Sequence, residues 1–313
     1  MSSMFIAGDW GTSRLRLTLC DGDRVIGRKS GPGAVAAGLI HEDVLFSLIE
    51  PWLAAHGAVP VVLCGMVGSR NGWVEAPYAR CPAGAGDLRL RLERFSVGDV
   101  PIAIVPGLVG ASPRAAPDVM RGEETQIVGA LADDPELAQG ARLFVLPGTH
   151  TKWVRVEDGR VASFQTALTG EMFALLRDHS TLTKAGGADA GLAGDGFAAG
   201  LERHSQAPAG GLLHEVFEVR ARQLLDGWSP AYALDFLSGL LVAADVEGAL
   251  ALFGAPDRPV VVIGEAQLTE RYSQALRRLG AGVRQLDGEA CALSGLRAIC
   301  HPLIEGASDV LAR

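Results

Sequence analysis

Short apolar segments recur along this chain, each broken by Gly, Pro or a charged residue, and their period separates strands from helices. Phe5-Ile6-Ala7-Gly8 leads into a polar turn, Asp9-Trp10-Gly11-Thr12-Ser13. Arg14-Leu15-Arg16-Leu17-Thr18-Leu19 follows, and its alternation predicts a half-buried strand. Near mid-chain the pattern repeats: Phe144-Val145-Leu146, then Pro147-Gly148-Thr149-His150-Thr151-Lys152, then Trp153-Val154-Arg155-Val156. Superposing Gly11-Thr12 on Gly148-Thr149 places Leu17 on Val154, Leu19 on Val156 and Asp21-Gly22 on Asp158-Gly159. Each copy reads as apolar strand, Gly-Thr turn, amphipathic strand and Asp-Gly hairpin turn. A Gly-Thr turn lets backbone N–H groups reach an anion unobstructed, and its hydroxyls add donors. Two such turns predict a duplicated fold that closes on a polyphosphate.

The remaining segments follow the same logic. A Gly/Ala-rich turn spans 31–38 and an amphipathic helix runs over 41–55. Pro60-Val61-Val62-Leu63-Cys64-Gly65 is a buried strand that delivers the polar loop Gly68-Ser69-Arg70-Asn71-Gly72-Trp73. A strand over 102–105 precedes Pro117-Asp118-Val119-Met120-Arg121, which leads into a helix over 122–131. A boundary near Gly140 divides the chain into domains 1–140 and 141–313. In the second, helical spacing covers 170–179, 211–225 and 233–253. The strand 259–263 runs into Gly264-Glu265-Ala266 and a helix carrying Tyr272, and a strand near Val283 precedes a last helix from Gly288. That helix echoes the earlier one: Gly122-Glu123 falls on Gly288-Glu289 and Gly129 on Gly295. Small residues there predict a close helix crossing, as a hinge requires.

At 313 residues and 48% hydrophobic content, the chain can bury the cores of two domains. Judged by uninterrupted runs, no segment approaches the roughly 18–20 apolar residues of a membrane span, and no basic-then-apolar leader opens the chain. The expectation is a soluble, cytoplasmic protein. Five scattered cysteines without a Cys-x-x-Cys pair point to reduced thiols rather than a disulfide framework or zinc site. A net charge of −8 argues against nucleic acid as a partner. Phosphate would then be held by backbone amides, a few placed cations and a divalent metal. The chain has no Gly-Lys step, which excludes a P-loop. The glycines from Gly31 to Gly38 have the wrong spacing for a dinucleotide fingerprint, and neither a protein-kinase signature nor a Gly-x-Ser-x-Gly elbow is present.

Several strings carry a more specific signal. Asp9-Trp10-Gly11-Thr12-Ser13, Gly65-Met66-Val67-Gly68-Ser69-Arg70, the run from Pro117 to Gln126, the run from Leu146 to Trp153 and Thr169-Gly170-Glu171 resemble the 2-dehydro-3-deoxygalactonokinase family, in that family's order and over about the whole chain. This family lies in the actin/sugar-kinase/heat-shock-chaperone ATPase superfamily. The resemblance implies an α/β fold of two duplicated actin-like (ribonuclease H-like) domains with a nucleotide cleft between them. The first would carry one phosphate turn and the sugar-acid loop, the second the other turn and the adenosine site. It also implies ATP and Mg²⁺ as cofactors and transfer of the γ-phosphate to the 6-hydroxyl of a 2-keto-3-deoxy sugar acid, in galactonate breakdown.

On that resemblance, Asp9 holds Mg²⁺ through water beside the amides of Gly11, Thr12 and Ser13; the plainer reading is an Asp capping its own turn. Gly148, Thr149, His150 and Thr151 form the opposing phosphate turn. Lys152 either offers a point charge to phosphate or is solvated. Glu123 and Glu124 open a helix, where carboxylates also suit the dipole. One of them is expected to take the proton of the attacking hydroxyl, with Glu124 favoured and Glu123 and Asp118 as competitors. Arg70 is the bidentate partner for the substrate carboxylate, flanked by Gly68 and Ser69. Trp73 walls the pocket or packs, and Arg121, Thr169 and Glu171 are further substrate candidates. His179 and Ser180 fit the family pattern, although a helix-end His is commonly a cap. Gly264, Glu265 and Ala266 leave backbone open to adenine. Two other readings share these turns: a polyphosphatase-like phosphohydrolase, and a non-enzymatic actin-like ATP-binding module. The stereochemistry of the sugar acid and homo-oligomer formation are open at this point.

Overall fold

The computed structural model describes residues 4–182, 194–206 and 211–305. Contacts group the chain into two units: residues 1–141, 154–164 and 286–313 in the first, 142–153 and 165–285 in the second. These are not the continuous halves 1–140 and 141–313, because a mid-chain hairpin and the last helix cluster with the first unit.

The first unit is built on a six-stranded sheet. β1 (Met4–Trp10), β2 (Arg14–Asp21) and β3 (Arg24–Pro32) are antiparallel. After α1 (His41–His56), β4 (Val61–Gly65) pairs parallel to β1, with Asp9 opposite Cys64 and Trp10 opposite Gly65. β5 (Tyr78–Arg80) and α2 (Ala85–Arg89) intervene before β6 (Glu93–Val97) and β7 (Val100–Ile104), giving the order β3-β2-β1-β4-β7-β6. Ile6, Trp10, Leu15, Leu17, Leu63 and Ile102 form the centre of its core. Full burial of each is worth about 1.5–3 kcal/mol. β5, β8 (Gly107–Ala111) and β9 (Pro117–Met120) make a separate small sheet. Pro117–Met120 is thus a strand and not merely a lead into α3 (Glu123–Asp133).

The second sheet comprises β10 (Ala141–Leu146), β11 (Thr151–Glu157), β12 (Arg160–Ala167), β13 (Val260–Gly264) and β14 (Val283–Asp287). Its order, β12-β11-β10-β13-β14, repeats β3-β2-β1-β4-β7 strand for strand, and β10 runs parallel to β13 as β1 does to β4. Hence the duplication extends from motif to topology. The hairpin turns differ by one residue: Asp158-Gly159 turns between β11 and β12, whereas Gly22-Asp23 does so between β2 and β3, past a register shift at Leu19/Cys20.

The helices are α4 (Thr169–His179), α5 (Gly194–Ser205), α6 (Leu212–Glu215), α7 (Glu218–Leu225), α8 (Pro230–Phe253), α9 (Ala266–Arg278) and α10 (Gly288–Glu305). The single helix expected over 211–225 is therefore two short ones. Helices α3 and α10, both in the first unit, cross where the two echoed glycines meet. A Cβ on Gly129 would stand 1.8 Å from the Cys291 carbonyl oxygen, and one on Gly295 would stand 1.9 Å from that of Thr125. α5 and α8 meet in the same way at Gly200 and Gly239. By length and composition α8 is apolar enough to cross a bilayer, contrary to the expectation from run lengths. It is instead a core helix, over half of it buried, and it carries Asp235 and Asp245 inward. The described cysteines are free thiols, four of them buried.

Candidate active site

In the first unit, the β1–β2 turn is held by its own backbone. The Gly11 N–H donates to Arg14 O (3.0 Å), and the Ala34 N–H donates to Gly11 O (2.9 Å). Gly33 lies flat on the turn: a Cβ there would fall 1.9 Å from the Thr12 carbonyl oxygen. Thr12 and Ser13 are exposed. Replacing Gly33 with Ala is expected to displace this turn, because the methyl would meet the Thr12 carbonyl, and to lower the melting temperature, which thermal denaturation would check. Asp9, just before the turn, is half-buried and 3.7 Å from the Arg16 guanidinium. Burial raises its pKa against the pull of Arg16. One accessible carboxylate beside an exposed backbone turn suits Mg²⁺, which takes one or two carboxylates and completes its shell with other oxygen ligands and water. Among the described residues no cluster of three or more His, Cys, Asp or Glu could hold a metal without such partners.

Gly65 ends β4 at φ 90°, and a Cβ on it would meet the Trp10 carbonyl oxygen at 2.7 Å. Gly122, at φ 110°, abuts it: its Cβ would stand 3.3 Å from Gly65 Cα. This glycine pair seats the start of α3. Glu124 is fully buried and turns back on the helix start, accepting from Gly122 N–H (2.8 and 2.9 Å) and from the Thr125 hydroxyl (3.1 Å). Burial, and then the charge of Glu123, push its carboxyl up to about 8. Glu123 is half-buried and accepts from Arg121 N–H at 3.1 Å.

The Gly68–Trp73 loop is closed by backbone bonds, Gly72 N–H to Ser69 O and Trp73 N–H to Val67 O. Trp73 packs edge-on against Phe95 at 5.1 Å and joins the core. The Arg70 side chain is 87% exposed, 3.8 Å from Glu75. Arg121 is the buried cation here. Its Nη2 donates to Ala76 O (2.8 Å), its guanidinium lies 4.4 Å from the centre of the Tyr78 ring, and Gly68 packs beneath Nη1. Among the described residues, its Nε and Nη1 have no hydrogen-bond partner, and neither has the buried Ser69 hydroxyl. Buried charge without a counter-ion is costly, so this group fits an anionic, hydroxyl-bearing ligand.

In the second unit, the Gly148–Thr151 turn joins β10 to β11. Gly170, at the start of α4, packs on it, since a Cβ would fall 2.2 Å from Gly148 O; Glu171 N–H donates to Thr149 O (2.8 Å). Thr149 and His150 are exposed, and His150 Nε2 lies 2.6 Å from Glu171. Glu171 thus braces this turn, and Thr169 stands beside it at the start of α4. Lys152 is buried and not solvated, its Nζ donating to Thr166 Oγ1 at 2.8 Å. Thr151 is also fully buried, its hydroxyl directed at Tyr272. Ser180 ends α4 by donating to Leu176 O, and His179 beside it is exposed.

A mainly apolar pocket opens beside this turn, lined by Pro147, Gly148, Thr169, Gly170, Phe173, Leu241, Gln267, Leu268, Arg271 and others. Gly264, where β13 ends, lies against Pro147, and Glu265 and Ala266 lead into α9. The pocket is walled by the first turns of α9 rather than by that triplet itself. Sequence reading missed Gln267, Leu268 and Arg271, which the helix period alone marks as ordinary helix surface. Arg271 is locked by Ser238 Oγ (2.8 Å), by Asp235 and by the face of Phe197. Gly33 and Asp245 were also missed. The available signal for Asp245 was a carboxylate inside an apolar helical run.

The family profile described as 2-keto-3-deoxy-galactonokinase matches residues 9–299. The chain is similar to a probable 2-dehydro-3-deoxygalactonokinase of Rhizobium meliloti, 38% identical over 96% of this chain and 97% of that one. It is also similar to the 2-dehydro-3-deoxygalactonokinase of Escherichia coli, 37% identical over 96% and 99%. A crystal structure of a Sinorhizobium meliloti protein assigned to the same activity superposes with a TM-score of 0.84 at 36% identity, covering 96% of this chain and 99% of the other. More distant solved structures, at 12–13% identity, share the actin-like fold alone.

Proposed function

Because this chain belongs to the 2-keto-3-deoxy-galactonokinase family, we propose that it transfers the γ-phosphoryl group of ATP to the 6-hydroxyl of 2-dehydro-3-deoxy-D-galactonate, in the cytoplasm, as a step of galactonate catabolism. The observation that carries the sugar-acid part is the buried Arg121 guanidinium with unmet N–H groups next to the unmet Ser69 hydroxyl. A substrate carboxylate supplies the missing counter-charge and a sugar hydroxyl the missing partner. The exposed Arg70 then contributes a second, weaker attraction.

On this reading the amides of Gly11 to Ser13 and of Gly148 to His150 each bind phosphate oxygens, and Asp9 would hold Mg²⁺, which neutralises phosphate charge. The apolar pocket beside Gly148, and Gly264 behind Pro147, take the adenosine. Glu124 accepts the proton of the 6-hydroxyl as the new P–O bond forms. Its carboxyl at about 8 is matched to proton transfer near neutral pH.

The test is ADP formation from ATP and Mg²⁺ with a panel of 2-keto-3-deoxy sugar acids. Fast turnover with the galactonate-derived acid, and little with its gluconate epimer, is expected. ATP turnover that no sugar acid accelerates, or activity on polyphosphate alone, would sink the proposal. Arg121→Met should raise KM for the acid by about tenfold or more, the worth of one charge-assisted hydrogen bond, and leave KM for ATP unchanged.

A further inference from the structure

One half-buried carboxylate ties the second phosphate turn to the body of its unit. Asp245, on α8, accepts from Trp153 Nε1 through Oδ1 (2.8 Å) and from Thr169 Oγ1 and the Tyr272 hydroxyl through Oδ2 (2.6 Å each). The Tyr272 oxygen also lies 2.8 Å from Thr151 Oγ1. A phenol has one proton and Tyr272 gives it to Asp245, so the Thr151 hydroxyl donates inward, to the Tyr272 oxygen or to Asp245 itself. Thr151 and Trp153 lie on β11, Thr169 opens α4 and Tyr272 lies on α9. Thr151 ends the turn, and Thr169 precedes the Gly170 that braces it.

We propose that Asp245 positions the Gly148–Thr151 turn for phosphate binding, acting through Tyr272 on Thr151 and through Thr169 on the start of α4. This rests on the reading of that turn as a phosphate site. The Thr151 hydroxyl has its proton committed inward, so it aligns the turn instead of donating to phosphate. Such a relay is worth the alignment of backbone amides, and its loss should register on phosphate rather than on adenosine.

The test compares binding of ATP and of adenosine by calorimetry, with Mg²⁺, to the full-length protein and its Thr151→Val, Tyr272→Phe and Asp245→Asn variants. ATP affinity should fall about tenfold in each, as expected for loss of a hydrogen bond to a charged group, while adenosine affinity stays within about twofold in the Thr151 and Asp245 variants, whose side chains do not line the apolar pocket as that of Tyr272 does. The Thr151→Val/Tyr272→Phe double variant should be no weaker than the worse single one, because both cut the same chain. Equal losses for ATP and adenosine, additive losses in the double variant, or unchanged ATP affinity would each overturn the proposal. If Asp245→Asn does not fold, the Thr151 and Tyr272 variants decide alone. Unmodified protein that binds no ATP would overturn the kinase reading itself, and this proposal with it.

Discussion

Replacing Glu124 with Gln is expected to lower kcat by about 10²–10⁴-fold, the usual contribution of a general base, with ATP binding retained. The amide oxygen can still accept from Gly122 N–H, so the start of α3 should survive the change. Glu123→Gln is the matched control, since its side chain touches the Arg121 backbone and should cost far less. Rapid-quench or steady-state kinetics would separate the two; near-normal turnover in the Glu124 variant removes it from the chemistry. The same carboxyl predicts a pH signature. Its folded value, about 8, lies above the unfolded 4.5, so the fold favours the protonated form. That contribution to stability is complete below about pH 4.5 and is lost as pH rises through 8. The unmodified protein should therefore lose melting temperature between about pH 4.5 and 8, and the Gln variant should lose less. Turnover runs the opposite way, rising toward pH 8 as the base ionises.

The second large effect is expected at the α3–α10 crossing. Gly129→Ala places a methyl 1.8 Å from the Cys291 carbonyl, a backbone atom that cannot rotate away. Ala favours helix over Gly by about 1 kcal/mol, so an exposed position would gain stability. Overpacking of about 1–3 kcal/mol or more works against it, and the helices must also part. A drop in melting temperature of roughly 3–10 °C follows for a chain of this size. Gly295→Ala should behave alike, and the pair should be non-additive because both open one interface. A rise in melting temperature for either would mean that the crossing is looser than described.

Much of this was legible in the sequence, for identifiable reasons. The hairpins announce themselves twice, through period-two alternation on either side of a Gly-Thr turn. Gly129 and Gly295 were readable as a crossing because the motif around them is repeated. The small sheet of β5, β8 and β9 was not, since its strands are three to five residues long. Grouping α10 with the first unit depends on long-range contact that no local pattern encodes. At the site, the residue types were visible but their directions were not. Arg121 and Arg70 look alike on paper, and only burial shows which one lacks a counter-ion. Thr149 and Thr151 lie two residues apart, and one faces water while the other faces a tyrosine.

Helix α8 has a further consequence for the life of the chain before it is folded. As it leaves the ribosome it is a 24-residue stretch that membrane-insertion machinery would sample. Its partner α9 has not yet been made at that moment. Asp245, placed well inside the stretch, costs roughly 2.5–3.5 kcal/mol on entering a bilayer, and Asp235 adds to this nearer the end. The same carboxylates that accept hydrogen bonds from Tyr272 and Arg271 are thus also what makes this apolar stretch costly to place in a bilayer.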